Sequence, residues 1–318
     1  MANPPADRPA PDSSRTRGRA FGLELDAGFV LPGLGPSRTG DPSAAVVVDV
    51  GPLGRVPAGA SVVHEVKAPS GRRLASLART ADGGWRFTTD AGRFHVDGSG
   101  TAVRCAPGRV AGWRWRRYLV GQVLPHASVL GGREAFHASA VSWRGRTLAF
   151  TGPSGAGKTS LALALLLRGA RLVADDVLVV GETDADVEPG IGVVHARRDA
   201  LARLGGEDAV ATLGTREGLD DFALRVVVDV DPAPPPIAAV VLVDRRPEPG
   251  APLVADVRGG AKWLLGAGFD ATVVDPARQI RHLDTCARIA RSARILRLSI
   301  APGVEPIAAA DAVLDAVA

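Results

Sequence analysis

The chain has 318 residues, 46% of them hydrophobic and 23% charged, which is the composition of a globular protein with a sizeable core and excludes a fibrous or wholly disordered chain. A net charge of +4 is too small an excess to argue for nucleic-acid or membrane-surface binding, and apolar runs such as Leu161–Leu167 fall far short of the roughly 20 residues that span a bilayer. Two distant cysteines, Cys105 and Cys286, have no metal-ligand spacing and fit a reduced, cytoplasmic protein.

Residues 1–20 hold Pro, Ser and Arg but no apolar segment, so they are expected to form a disordered tail rather than a secretory signal. Residues 21–130 read as a β-rich region. "FGLELD" alternates apolar Phe21, Leu23 and Leu25 with small or acidic residues, "AAVVVDV" (44–50) and "SVVHEV" (61–66) are strand-like, and "GRFHVDGSGTAVRC" predicts a hairpin around Asp97–Gly100. Residues 113–124 predict a helix that Pro125 ends. Its "WRWRRY" mixes bases and aromatics as single-strand nucleic-acid binders do. The same spacing lets Trp115, Tyr118 and Leu119 face a core while arginine stems cover apolar surface, and that reading is preferred.

Residues 131–318 alternate strands and helices, which predicts an α/β unit. Strands are expected at 135–141 and 146–152, joined by "SWRG", then a helix from Lys158 to Arg168 capped by Gly169. "RLVADD" and "VLVV" (177–180) follow, then strands at 223–230 and 237–243 split by "DPAPPP". Asp275-Pro276 opens a helix to about Ser292 with Ile280, Leu283, Ala287 and Ile289 on one side; a strand "RILRLSI" and a helix over 306–317 complete the chain.

Gly152–Thr159 fits G-x-x-x-x-G-K-[ST] in full, between a strand and a helix. Glycines let the loop amides at Gly155, Ala156, Gly157 and Lys158 turn toward phosphate oxygens, and the helix N-terminus adds partial positive charge. Gly152, Ser154, Gly155, Ala156, Gly157, Lys158, Thr159 and Ser160 are therefore the candidate nucleotide-binding residues, with Lys158 on the β- and γ-phosphates and the Thr159 hydroxyl on Mg²⁺. Only three of the 38 basic residues are lysines, Lys67, Lys158 and Lys262, so a lysine at the one place that calls for a compact ammonium is a pointed choice.

Asp175 and Asp176 follow Lys158 by 17 and 18 residues. One helix and one strand return them to the edge of the sheet that carries the loop, where open α/β sheets bind ligands. One carboxylate can face the metal and the other a hydroxyl nucleophile, which is what phosphoryl transfer needs. His137, on the strand before the loop strand, can approach the pair and tune its proton affinity. "IAAVVLVD" ending at Asp244 offers a competing magnesium aspartate, but there is no transporter-type L-S-G-G and no N-K-x-D; Asp244, Arg245 and Arg246 are read as a strand-end turn outside the site.

These residues, "FHASAVSWRGRTLAFTGPSGAGKTSLALALLLRGARLVADDVLVV" over 136–180, resemble the core of the HPr kinase/phosphorylase family, and most of all the HPr-kinase-like proteins of ribosomal peptide pathways, lasso-peptide tailoring kinases included. The resemblance implies a P-loop kinase core of the HPr-kinase C-terminal type, using ATP and Mg²⁺ to phosphorylate a serine of a peptide or small protein. It makes Asp175 the base, Asp176 a metal ligand with Thr159, and His137 a contact of Asp175. "EPGIGVV" from Glu188 echoes the family's E-x-R-G-x-G-I, but Pro189 and Gly190 depart from it, so a metal role for Glu188 is not carried over. Thr159-Ser160 stands where the family often has Ser-Glu, and residues 1–130 scarcely resemble its N-terminal domain, which argues against HPr as the acceptor and against the reverse reaction. Arg197 and Arg198 are candidates for a charge-stabilising arginine by composition alone. A homo-oligomer is compatible with the resemblance; nucleic acid and membrane are not expected partners.

The sequence thus predicts an α/β phosphotransferase acting on an alcohol group, with a tail to residue 20, a β-rich region over 21–130 and a kinase domain over 131–318. Two other readings stay open: a P-loop kinase of a small hydroxy metabolite, and a nucleotide-binding regulator without transfer chemistry.

Overall fold

The computed structural model describes residues 15–39, 45–181, 186–219, 223–269 and 275–318. The chain divides into two compact units, one of Met1–Arg19, Leu23–Leu31 and Pro36–Gly132, the other of Ala20–Gly22, Pro32–Gly35 and Arg133–Ala318. No helix among the described residues is long and apolar enough to cross a membrane.

The first unit holds β1 (Thr16–Ala20), β2 (Leu23–Ala27), β3 (Val46–Val50), β4 (Ser61–Lys67), β5 (Arg73–Arg79), β6 (Trp85–Thr89), β7 (Gly92–Val96) and β8 (Ala102–Pro107). They form one sheet in the order β1-β2-β3-β8-β7-β6-β5-β4. The tail expected to residue 20 is corrected at its end, because Thr16–Ala20 is a strand; residues 1–14 lie outside the described residues. The expected hairpin joins β7 to β8, and the Asp97 carboxylate fixes it by accepting from Ala102 N at 2.9 Å and Thr101 Oγ1 at 3.0 Å.

Helix α1 (Gly112–Tyr118) does not stop at Pro125. It passes through a π-helical turn, Leu119–Val123, into α2 (Leu124–Leu130). Pro125 follows this turn directly, and the wider π turn eases its ring past the preceding carbonyls. Trp115 is buried edge-on to Phe29, and Tyr118 stacks on Phe94 at 5.4 Å, so these aromatics belong to the core of this unit.

The second unit contains β9 (Glu134–Phe136), β10 (Ala138–Trp143), β11 (Arg146–Thr151), α3 (Lys158–Leu166), β12 (Arg171–Ala174), β13 (Leu178–Val180), β14 (Val187–Glu188) and β15 (Val193–Arg197). There follow α4 (Arg198–Arg203), α5 (Gly206–Ala211), β16 (Thr215–Leu219), β17 (Ala223–Val227), β18 (Ile237–Arg245), β19 (Leu253–Asp256), α6 (Ala261–Leu265), α7 (Pro276–Ser292), β20 (Arg294–Ile300) and α8 (Pro306–Val317). The main sheet runs β12-β10-β11-β18-β20-β19, with small sheets β14-β13-β9 and β15-β17-β16. β11, β18 and β20 are mutually parallel, and β12 shares their direction because β10 is antiparallel to both β11 and β12. The α/β expectation is met, and the C-terminal ends of these strands share one edge. α3 packs its Leu161, Leu163 and Leu165 into the core shared with β11 and β18. It is buried all round rather than amphipathic, as its unbroken Leu/Ala run requires.

The strand expected over 135–141 is broken at His137. β9 pairs with β13 in a small sheet, whereas β10 pairs with β11 and β12 in the main one. His137 stands at the switch, its amide donating to Ala267 O at 2.7 Å and its carbonyl accepting from Thr151 Oγ1 at 3.0 Å.

Helix α7 begins as expected, with the Asp275 carboxylate accepting from Arg278 N at 2.8 Å and Pro276 in the first turn. Its buried face is a correction. Ile280 and Leu283 are exposed, and the buried positions are Arg278, Thr285, Cys286 and Ile289. Buried Glu134 decides this, because it draws in Arg278 (3.6 Å), Arg281 (2.9 Å) and His282 (3.3 Å), and a charge left unpaired there would cost several kcal/mol. The Cys286 sulfur beside Nε2 and the Glu134 carboxylate at Nδ1 hold the His282 imidazole well above its usual value, at about 10.

Two predictions follow from this helix. Ile289→Ala is expected to cost about 2–5 kcal/mol of unfolding free energy in urea titrations, against less than about 0.5 kcal/mol for Ile280→Ala. Because the folded protein holds a proton on His282 that the unfolded chain releases near pH 6.5, the stability lost in His282→Gln should be full below that pH and shrink as pH rises toward 10, as read from melting temperatures across the range.

Candidate functional site

β11 enters the loop 152–157 and α3 leaves it, so the strand–loop–helix order expected from sequence is present. Gly152 has φ +146° and lies so close to β18 that a Cβ there would stand 2.2 Å from the Val243 carbonyl. Gly155 and Gly157 have φ +78° and +118°, which turn the loop without a side-chain penalty. Gly157 is the N-cap of α3 and no side chain caps that end, which leaves the helix start suited to an anion. Ser154 is exposed at the loop tip and Ser160 is half-buried in the first turn. One expected phosphate-facing amide is otherwise engaged: Ala156 N donates to Pro153 O at 3.1 Å, closing a turn within the loop.

The Lys158 ammonium is buried and donates to Gly152 O (2.9 Å) and Pro153 O (3.2 Å). Burial lowers its proton affinity, against the pull of Asp176 and Asp175. Thr159 Oγ1 donates to Asp175 Oδ1 at 2.9 Å. The same oxygen accepts from Ser139 Oγ at 2.7 Å, and Asp175 Oδ2 accepts the His195 amide at 3.2 Å. Burial pushes the Asp175 carboxyl above the usual range, and neighbouring Asp176 adds to the rise while the Ser139, Thr159 and His195 donors oppose it.

Asp176 is different in every respect. Its side chain is 53% exposed, its φ is +72°, and Val177 N donates across it to Asp175 O at 2.9 Å, a tight three-residue turn. His137 Nδ1 faces both the Asp176 carbonyl (3.1 Å) and Oδ1 (3.3 Å). Both are acceptors, so Nδ1 carries the proton. The expected contact of His137 with Asp175 is thereby corrected: the tight turn swings Asp176, not Asp175, toward the histidine.

Ser139 and the His195 amide were not singled out from sequence. Ser139 lies on β10 one position before Ala140, which pairs with Ala174 at the end of β12, so strand register alone brings it to Asp175. The other candidates lie elsewhere. Glu188 on β14 faces Arg133 at 4.0 Å, and exposed Arg197 and Arg198 pair with Asp199 (3.1 Å) and Glu207 (3.2 Å). No cluster of three or more His, Cys, Asp or Glu that could hold a metal occurs among the described residues. The Thr159 hydroxyl beside one carboxylate fits Mg²⁺, which takes one or two protein carboxylates and completes its shell with water and phosphate.

No protein-family profile matches the chain. Among curated proteins it is 34% identical over 104 residues to an HPr kinase/phosphorylase of Chlorobium limicola, and 36% identical over 100 residues to one of Prosthecochloris aestuarii. The chain carries an HPr kinase-like segment. The match spans 30% of this chain in each case, and 30% and 29% of those relatives' own lengths. An Hpr(Ser) kinase/phosphatase structure from Coxiella burnetii aligns over 57% of this chain and 95% of its own at 16% identity, with a TM-score of 0.27, a likeness too slight to bear on the fold.

A non-glycine residue in the left-handed region costs about 1–2 kcal/mol, part of which glycine returns as chain entropy. Asp176→Gly should therefore leave the melting temperature of the ligand-free protein unchanged or higher, by up to about 1 kcal/mol of stability, despite removing a side chain that contacts His137.

Proposed function

We propose that this protein is an ATP- and Mg²⁺-dependent kinase that phosphorylates a hydroxyl, serine foremost, on a peptide or small protein. The observation that carries the reading is the pairing of two unlike carboxylates beside a complete phosphate loop: Asp175 hydrogen-bonded to Thr159, and Asp176 open to solvent beside His137. Similarity to curated HPr kinase/phosphorylases supports a protein or peptide acceptor over a free metabolite. The departures at Thr159-Ser160 and in residues 1–130 favour an acceptor other than HPr, and a precursor peptide of a ribosomal tailoring pathway is the one the resemblance suggests.

Bound ATP·Mg²⁺ supplies the phosphoryl group and the charge neutralisation that makes its transfer feasible. The residues that would hold it are the loop from Gly152 to Ser160, with Thr159 and Asp175 as the oxygen donors for the metal. Lys158, already withdrawn from solvent by the loop carbonyls, provides a cation whose field is little screened. Ser139, Thr159 and the His195 amide hold the Asp175 carboxylate in one orientation. Asp176, whose carboxylate is not enclosed by such donors, accepts the proton of the incoming hydroxyl, and His137 Nδ1–H steadies it from the opposite side. The geometry thus favours exchanging the two roles that the family resemblance suggested for Asp175 and Asp176.

With labelled ATP and a serine-containing peptide panel, Asp176→Asn is expected to lower transfer by about 10²–10⁴-fold while ADP binding is retained. Asp175→Asn should instead raise the Mg²⁺ concentration needed for half-maximal transfer. Undiminished transfer in Asp176→Asn would remove it as the base, and labelling of small hydroxy metabolites alone would overturn the peptide acceptor.

A further inference from the structure

β18 runs beyond its last pairing with β11, where Leu242 lies opposite Thr151, and continues through Val243 and Asp244 to Arg245 alongside β20. That extension flanks the phosphate loop. The Val243 carbonyl closes on Gly152, and two residues later the Arg245 guanidinium reaches Gly157: Nη2 stands 3.4 Å from where a Cβ of Gly157 would lie, with Ile300 Cδ1 at 3.9 Å. A cation is therefore held against the N-cap of α3, itself the positive end of a helix, in a loop that also contains the Lys158 ammonium.

Neighbouring arginines on these strands or just beyond them have acceptors. Arg297 donates to the Asp244 carboxylate at 2.8 Å, Arg246 to Ala251 O at 2.6 Å, and Arg294 to Asp256 at 3.1 Å. Among the described residues, Arg245 has no carboxylate or carbonyl partner, and its side chain is exposed. A guanidinium without an acceptor beside the positive end of a helix is stabilised by an anion that both can face. A glycine wall on one side and an unpaired guanidinium on the other form a place for such an anion.

We propose that Arg245 is a phosphate-binding residue of the nucleotide site, grasping the polyphosphate across Gly157 from the end of β18. The inference rests on the nucleotide reading given above and adds to it a specific ligand group. The planar guanidinium suits non-bridging phosphate oxygens, which it can engage through two parallel N–H donors, whereas an ammonium offers only a point charge.

The test is equilibrium binding of ADP, inorganic tripolyphosphate and adenosine to the full-length protein, by calorimetry in parent, Arg245→Ala and Arg245→Lys. The expected result is a loss of about 10- to 100-fold in ADP and tripolyphosphate affinity for Arg245→Ala, a smaller loss for Arg245→Lys, and unchanged adenosine affinity. The ligand-free melting temperature of Arg245→Ala should match the parent, since the exposed side chain has no partner to lose. Equal ADP affinity in parent and Arg245→Ala overturns the proposal, as does a loss shared by adenosine. Failure of the parent protein itself to bind ADP would show up separately, as a failure of the nucleotide reading.

Discussion

The carboxylate of Asp175 is the point on which the second unit's site depends. Three elements distant in sequence meet at its two oxygens: β10 through Ser139, α3 through Thr159, and β15 through the His195 amide. Burial makes the charged form costly, and these donors offset part of that cost. A cation placed beside the carboxylate would offset more of it, in keeping with the metal role proposed for Asp175. The phosphate loop is thereby tied to the strand end that faces it, and α3 cannot shift along its axis without stretching the bond from Thr159.

Much of this was legible in the sequence, for a physical reason. The phosphate loop is a contiguous backbone requirement, with glycines where φ is positive and a lysine on the first helical turn, so local reading suffices. The order of strand, loop, helix and strand then carries the Asp pair back to the same edge. The placement of each aspartate was not legible, because it turns on local backbone geometry: Asp176 has φ +72° and faces His137, while Asp175 is enclosed. Ser139 was equally hidden, since only pairing of β10 with β12 reveals it.

The misread elements share a cause. The helix expected over 113–124 looked terminated by Pro125 because the rule assumes a regular α-helix, and a π-helical turn suspends it. Helix α7 looked amphipathic through Ile280 and Leu283, but Glu134, far upstream in the chain, selects the opposite face by charge. In both cases a long-range or irregular feature overrode a local pattern. The aromatic-basic stretch at Trp113–Tyr118 went the other way: Trp115 is buried and Tyr118 stacks on Phe94, as the local amphipathic pattern predicts.

Gly152 carries a consequence for anyone surveying variants of this chain. The Val243 carbonyl leaves no room for a methyl group there, so the sheet demands glycine before any nucleotide enters. Gly155 has open space around it and only its backbone angle to defend. Intolerance at the first position would report on how two parallel strands fit together; intolerance at the second would come far closer to reporting on the loop's own work. The opening residue of the motif is thus a poor witness to activity, and a damaged sheet could be mistaken for a lost binding site.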